Sequence, residues 1–313
     1  MSKQMMTSST MNQAEWVPDK DSETSLAADL KSLFKITVLV ANVVPVFAGF
    51  WLAAYFTEAS FAANIDIFLL VMIGSTLVMG GALVINNWYD ADIDLIMSRT
   101  QSRPTVTGNI PPRTALRIGV ATSIAGFILL MFTTAEAVQF AFIGWFVYVV
   151  LYTMWSKRKY TLNTVIGSIS GAVTPLIGWA ALAPVSHFAP IALALIIFIW
   201  QMPHTFAIAI RKYDEYKAAD VKMLPVVHGI EITKRQMIIY TACLLPLPFY
   251  LFSLGTAFVV ITSVLNVAYI VLAISGLFAK DNVKWARNMF LVSVNYLLII
   301  FVMAIVATLP WSG

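Results

Sequence analysis

Residues 66–94 read DIFLLVMIGSTLVMGGALVINNWYDADID. From Ile67 to Ile85 the stretch carries no charge, and with its flanks it reaches the ~20 apolar residues that a helix needs to cross a hydrocarbon core. It then delivers Asn86, Asp90, Asp92 and Asp94 in quick succession. A membrane-spanning helix that ends in an amide and three carboxylates predicts both a fold class and a place for chemistry.

The rest of the chain repeats the apolar half of that pattern. Apolar runs of similar length fall at 36–56, 66–88, 115–133, 137–155, 164–183, 188–210, 237–254, 258–279 and 288–309. The break between the seventh and eighth rests on Leu254, Gly255 and Thr256. Of 313 residues, 59% are hydrophobic and 12% charged, against about 25% charged in soluble domains. The expected fold is therefore an all-α membrane protein, a bundle of about nine transmembrane helices forming one domain over 31–313. Residues 1–30, rich in Ser, Thr, Met and acids, read as a flexible cytoplasmic N-terminal extension.

Charge placement orients the bundle. With nine spans and the N-terminus in the cytoplasm, all 20 Lys and Arg residues fall in or beside the cytoplasmic segments. The opposite loops carry Glu58 and Glu136 but no Lys or Arg, which is the positive-inside bias. The net charge of +4 follows from that bias and does not indicate nucleic-acid binding. The lone Cys243 lies within a span, which excludes an intrachain disulfide and a cysteine metal cluster.

The acids crowd into two segments on the cytoplasmic side. In the first, Asn86, Asp90 and Asp94 stand at i, i+4 and i+8 and share one helical face, while Asp92 points the other way. Two carboxylates on one face repel unless a cation sits between them. Oxygen donors without His or Cys favour Mg²⁺, which takes one or two carboxylates together with substrate phosphates. The second segment follows the sixth span and offers Asp214 and Glu215 at a helix end and Asp220 in a loop as further metal ligands. Four spans separate the two segments, so both lie on one membrane side. Arg99 and Arg103 follow the first segment, and Lys157 and Arg158 occupy the next cytoplasmic loop. Carboxylates, a divalent ion and guanidinium forks together suit a diphosphate.

Taken together, these segments resemble the membrane prenyltransferases of the UbiA superfamily, whose Asn-x-x-x-Asp-x-x-x-Asp hallmark is present as Asn86, Asp90 and Asp94. Within it they are most similar to the protohaem farnesyltransferase (haem O synthase) branch. That similarity is carried by Asn86–Asp94, by Arg-Thr-x-x-Arg-Pro at 99–104, and by Asn163 through Gly178-Trp179-Ala180-Ala181. Trp200-Gln-Met-Pro-His204 and Tyr216-x-Ala218 through Met223-Leu224-Pro225-Val226-Val227 complete it. The chain departs from the branch before Met223, where Asp220-Val221-Lys222 replaces a small residue or Asn, an aliphatic residue and Pro.

The resemblance implies a Mg²⁺-dependent enzyme of the cell membrane, its active site facing the cytoplasm. It would transfer the farnesyl group of farnesyl diphosphate to a vinyl group of haem B, giving haem O, with an enzyme of haem A synthesis as its partner. Asp90, Asp94 and Arg103 would be catalytic, and Arg99, Arg103, Lys157 and Arg158 would hold the diphosphate. Trp88, Tyr89, Tyr148, Tyr152 and Trp155 offer π-faces to the allylic cation. From its own position inside the sixth span, His204 is a candidate for the haem side. It is equally a candidate for a hydrogen bond to a neighbouring helix or to the backbone freed by Pro203, and Asn42 is a candidate for lining the same cavity. Three other readings compete, one of them a purely structural haem-delivery or assembly subunit. A prenyltransferase for a quinone precursor or a chlorophyll-type ring would use the same acids. A transporter would place acids near the bilayer midplane, and no acid lies deep in any assigned span.

Overall fold

The computed structural model describes residues 25–309. Helices dominate, with no strand among the described residues. Short α1 (Leu26–Leu33) precedes α2 (Ile36–Phe56), α3 (Ile65–Tyr89), α4 (Ala91–Asp94), α5 (Pro104–Thr107) and α6 (Pro112–Leu130). Then come α7 (Ala135–Phe146), α8 (Asn163–Ala172), α9 (Thr174–Ala180), α10 (Phe188–Arg211), α11 (Tyr213–Ala218) and α12 (Leu224–His228). The last three are α13 (Ile230–Cys243), α14 (Thr256–Ser275) and α15 (Asn282–Val306). Of the extension expected over 1–30, residues 1–24 lie outside the described residues, while α1 already begins at Leu26.

Eight helical segments among the described residues are long and apolar enough to cross a membrane. Stripes such as Val120, Ile124 and Ile128 on α6 and Val260, Val264, Val267 and Val271 on α14 stay exposed, as lipid-facing surfaces do. The chain is an all-α membrane protein.

The continuous fifth span expected over 164–183 is instead the pair α8 and α9, interrupted at Val173. The cause is local. Pro175 has no N–H with which to bond Gly171, four residues earlier. The Thr174 hydroxyl takes that role, donating to Gly171 O at 2.6 Å, and α9 restarts with Pro175 in its first turn. Irregular backbone at membrane depth is tolerated where it lines a cavity; Val173 and Thr174 do line one. The seventh span also differs. α13 starts well before the expected residue 237, and 3₁₀ turns over Leu247–Leu254 complete the segment.

Helix α2 stands between two packed groups. Val46 and Phe50 join the core formed with α3, α7 and α9. Ala48 and Leu52 join that of α10, α13, α14 and α15. In lipid there is little hydrophobic drive between helices, so close packing of small residues has to hold them. Here α2 and α9 approach until a Cβ on Gly178 would lie 1.9 Å from Val46 O, and one on Gly49 would lie 2.0 Å from Pro175 O.

At one end the connecting segments form a cap. Ile93 and Met97 pack on Tyr216, Ala219, Val221 and Met223. The Asn163 amide donates to Lys222 O at 3.0 Å, and Asn87 ties α1 down through Leu33 O at 2.7 Å.

Candidate active site

Helix α3 stops at Tyr89, Asp90 occupies the break, and α4 carries Asp92 and Asp94. The predicted facial division survives that break. Asn86, Asp90 and Asp94 are buried, at 3%, 1% and 3% exposure, while the Asp92 side chain is 64% exposed. The Asn86 amide donates to Asp90 Oδ2 at 2.8 Å and to Thr153 Oγ1 at 3.0 Å, and its Oδ1 accepts from Lys35 Nζ. Lys157 bonds Asp90 Oδ2, and Arg103 bonds Asp94 Oδ2. Arg158 forks onto both oxygens of Asp92 at 2.7 Å, lies 3.7 Å from Asp90 Oδ1, and covers the Tyr89 ring at 4.9 Å.

Four cations thus surround three carboxylates. Burial pushes the Lys35 ammonium well below its usual range, and the nearby Arg103 charge adds to the effect. For Lys157 burial acts in the same direction, but the Asp90 carboxylate together with Tyr152 and Tyr216 more than offsets it and the net shift is upward. The hydrogen bond from Arg158 holds Asp92 below the ordinary carboxylate range. Buried ion pairs lose to desolvation much of what they gain in attraction, so stability alone does not account for such a cluster.

The residues fit a hard divalent ion. Asp90 Oδ1 is buried without a hydrogen-bond partner, and so is Glu215 Oε2. Among the described residues no three His, Cys, Asp or Glu side chains converge as a complete cage; Mg²⁺ typically takes one or two carboxylates and completes its shell with substrate phosphate.

The second acidic segment sits differently from the first. Glu215 accepts from Lys212 at 2.7 Å and from Ser98 at 3.1 Å, so it clasps the two cap segments together. The Lys212 hydrogen bond holds its carboxyl below the usual range. Asp214 is exposed. Asp220 is 84% exposed, pairs with Lys222 and adopts φ +50°. Arg99 reaches Tyr216 rather than an acid, donating to its hydroxyl at 3.2 Å and lying 5.7 Å from its ring centre.

Two contributions were not legible in the sequence. Lys35 is 51 residues from Asn86, at a left-handed turn (φ 48°) between α1 and α2. The other is backbone: α7 continues as a π-helix over Val147–Ser156. Widened turns are frequent at functional sites, and here they stack Tyr148, Tyr152, Thr153 and Lys157 toward the acid motif. Tyr148 and Tyr152 lie 5.6 Å apart. Trp155 is directed outward, against Tyr160.

Beneath the motif is a cavity of about 130 Å³, lined in part by Asn42, Ser75, Trp145, Tyr148, Thr174 and Gln201. Asn42 donates its amide to Val38 O at 2.8 Å. His204 is not in that lining. It shares a face of α10 with Gln201, one turn nearer the motif, and leans on α15.

The fold recurs in solved structures of other proteins. The chain superimposes on that of a digeranylgeranylglyceryl phosphate synthase with TM-score 0.72 at 19% identity, covering 91% of this chain and 99% of the other. It matches a UbiA homolog from Archaeoglobus fulgidus bound to DMAPP and Mg²⁺ with TM-score 0.68 at 17% identity, covering 88% and 99%. In sequence it is 50% identical over 311 residues to the protoheme IX farnesyltransferase of Oceanobacillus iheyensis, covering 99% of each chain. Against that of Bacillus thuringiensis it is 53% identical over 289 residues, covering 91% of this chain and 94% of the relative. The UbiA prenyltransferase family matches residues 42–295, a span that holds the Asn86–Asp94 motif, the π-helical segment and the cavity lining apart from Val38, and the chain belongs to that family.

Proposed function

We propose that this protein transfers the farnesyl group of farnesyl diphosphate to a vinyl group of haem B. The observation that carries the reading is the buried Asn86–Asp90–Asp94 set, ringed by Lys35, Arg103, Lys157 and Arg158 above a cavity of apolar character. The acceptor is supported by the protoheme IX farnesyltransferases that are 50% and 53% identical to this chain.

The overall change consumes farnesyl diphosphate, haem B and water, and yields haem O and diphosphate. The C1–O bond of the diphosphate ester breaks, and its electron pair leaves with the diphosphate. C1 bonds the terminal vinyl carbon, water adds to the inner one, and a proton is released. Mg²⁺ bound at Asn86, Asp90 and Asp94 would supply charge neutralisation for the departing diphosphate. Arg103, Lys157 and Arg158 would turn from the carboxylates, and Lys35 from the Asn86 amide oxygen, to the phosphate oxygens, and Arg99 would join them. That stabilisation grows as charge develops on the leaving group, which is where catalysis requires it. Tyr148 and Tyr152 would present ring faces to the allylic cation, while the cavity excludes water from it. Glu215, through its unpartnered Oε2, is the better placed of the second-segment acids for a second ion; Asp214 and Asp220 would have to move in with the cap.

We also infer nine crossings, counting α8 and α9 as one broken span, with the N-terminus and the acid motif on the cytoplasmic face of the cell membrane. An enzyme of haem A synthesis is the expected partner. The test of the reaction is direct: purified protein with Mg²⁺, farnesyl diphosphate and haem B should yield a product with the mass of haem O. Prenylation of a quinone precursor with haem B left unchanged would overturn the reading.

A further inference from the structure

The cavity beneath the acid motif is lined by several polar side chains, and most of them are spent on the protein itself. Ser170 donates its hydroxyl to Gly167 O and Thr174 donates to Gly171 O, both at 2.6 Å. Ser75 reaches Met72 O at 3.4 Å, and the Trp145 indole N–H reaches Ser123 Oγ at 3.1 Å. Three groups of the lining remain. Asn42 commits its amide N–H to Val38 O at 2.8 Å, and its Oδ1 accepts nothing among the described residues. The Gln201 amide and the Tyr148 hydroxyl make no hydrogen bond among them at all.

Shape, rather than hydrogen bonding, seats Gln201. A Cβ on Gly171 would lie 2.5 Å from Gln201 Oε1, so the amide occupies a notch that glycine leaves open. Gly171 is also the residue whose carbonyl loses its helical partner at Pro175 and takes the Thr174 hydroxyl instead. The α8–α9 interruption and the seat of Gln201 are therefore one feature of the cavity wall. Gln201 lies ten residues before Arg211, the end of α10, or about 15 Å along the axis. Asn42 lies seven residues from Lys35, which bonds Asn86, or about 10 Å. This polar set stands below the diphosphate mouth and is no part of it.

Unpartnered amides and hydroxyls in apolar surroundings are costly, and inside a membrane such groups mark functional sites. Their chemistry names the ligand class. Together they offer amide N–H donors, amide oxygens and a hydroxyl, all uncharged, which suits a small neutral molecule that both donates and accepts. Of the reactants in the proposed reaction, the farnesyl chain is a hydrocarbon and the diphosphate has its own cations. Water is the polar reactant left without a site. The cavity of about 130 Å³ exceeds the ~10–15 Å³ that a water needs, and three groups fall within the two to four partners that a buried water engages.

We propose that Gln201, with Asn42 Oδ1 and the Tyr148 hydroxyl, binds the water that becomes the hydroxyl of the product. The assignment rests on the reaction proposed above. Once C1 has bonded the terminal vinyl carbon, the inner vinyl carbon is cationic. A lone pair of the held water bonds that carbon, and the resulting oxonium gives its proton to the released diphosphate. Without the water the cation has another exit: a proton leaves the adjacent CH₂ carbon and a C=C bond forms. That product is a farnesylated haem one water lighter than haem O. Holding one water is compatible with excluding bulk water from the allylic cation, because a water bound by several groups is fixed in place.

The experiment uses the full chain in lipid nanodiscs with Mg²⁺, farnesyl diphosphate and haem B in heavy-oxygen water, and reads product masses. Wild type should give haem O carrying the label. Gln201→Leu, which nearly keeps the volume and loses the amide, should raise the ratio of the lighter product to haem O roughly tenfold or more. The KM values of both substrates should stay near wild type. Tyr148→Phe keeps the ring face and loses the hydroxyl, and it should move the ratio in the same direction. Gly171→Ala should do so too, because its methyl displaces the Gln201 amide without removing it. If Gln201→Leu fails to fold, Tyr148→Phe carries the test. A ratio unmoved in the folded variants, or an equal loss of both products, would overturn the water site and leave farnesyl transfer to haem standing. Wild type that makes neither product would overturn the reaction, and the water site with it.

Discussion

Lys157 and Asp90 meet through a single carboxylate oxygen: Oδ2 accepts from the ammonium and from the Asn86 amide, while Oδ1 stays buried without a hydrogen bond, 3.7 Å from the Arg158 guanidinium. An acid placed there only to neutralise Lys157 would have no need of a second buried oxygen that lacks a hydrogen bond. Asp90→Ala and Asp94→Ala should each reduce turnover by about 100-fold or more, the scale of removing one preorganised electrostatic contact. Asp92→Ala should cost far less, because its partner Arg158 forms a pair of the exposed kind, worth about 0.2–1 kcal/mol. Turnover assays on the three variants, with folding checked by thermal unfolding, decide it; equal losses in all three would contradict the facial division.

Metal dependence follows from the same oxygen. Chelation should abolish farnesyl transfer, and Mg²⁺ should restore it. Zn²⁺ should restore it poorly, because the donors are oxygens without His or Cys. Isothermal titration of Mg²⁺ should show tighter binding when a non-hydrolysable farnesyl diphosphate analogue is present, since the protein offers only part of a coordination shell.

Arg103→Ala should impair farnesyl diphosphate use and spare haem binding. Its guanidinium bonds Asp94 and is matched to phosphate oxygens. Separate KM values for the two substrates check this, and a change confined to haem would assign Arg103 to the other substrate.

The fold was largely legible because crossing a membrane demands length and apolarity, and both are linear properties of a sequence. The Asn86, Asp90 and Asp94 face was legible for a similar reason, since helical period places them together even though the helix breaks at Asp90. The interruption at Val173 had a readable sign in Thr174-Pro175, but the apolar run continues through it and hides the break. Nothing local marks the π-helical turns, because hydrophobic residues there recur as they do in an ordinary helix. Lys35 was invisible for a different reason: its partner lies in another helix, and only the packing of α1 and α2 against α3 joins them. Asp220 illustrates the converse, an acid near the right segment whose loop conformation turns it to solvent.

The closest helix contact gives a stability prediction. A methyl group on Gly178 would overlap Val46 O, a backbone atom that cannot rotate away. Gly178→Ala should therefore force α9 from α2 at a cost of about 1–3 kcal/mol, the scale of overpacking. Thermal unfolding in detergent reads it, and an unchanged midpoint would mean that the two helices slide apart freely.

Lys35 separates charge from backbone, and that makes it the sharpest test of the diphosphate mouth. Its ammonium reaches Asn86, beside Lys157 and Arg103, while its own backbone sits at φ 48°, ψ 53°. The left-handed conformation costs an L-residue about 1–2 kcal/mol and glycine almost nothing. Lys35→Gly and Lys35→Ala both remove the charge, but only the glycine relieves the backbone. If the ammonium serves the diphosphate, both variants should raise the KM for farnesyl diphosphate to a similar extent. Lys35→Arg, which keeps a cation with phosphate-matched geometry, should recover part of the affinity. Thermal unfolding should then divide the pair, with Lys35→Gly the more stable of the two. A KM that follows the unfolding midpoint rather than the charge would show that Lys35 acts only through the turn between α1 and α2.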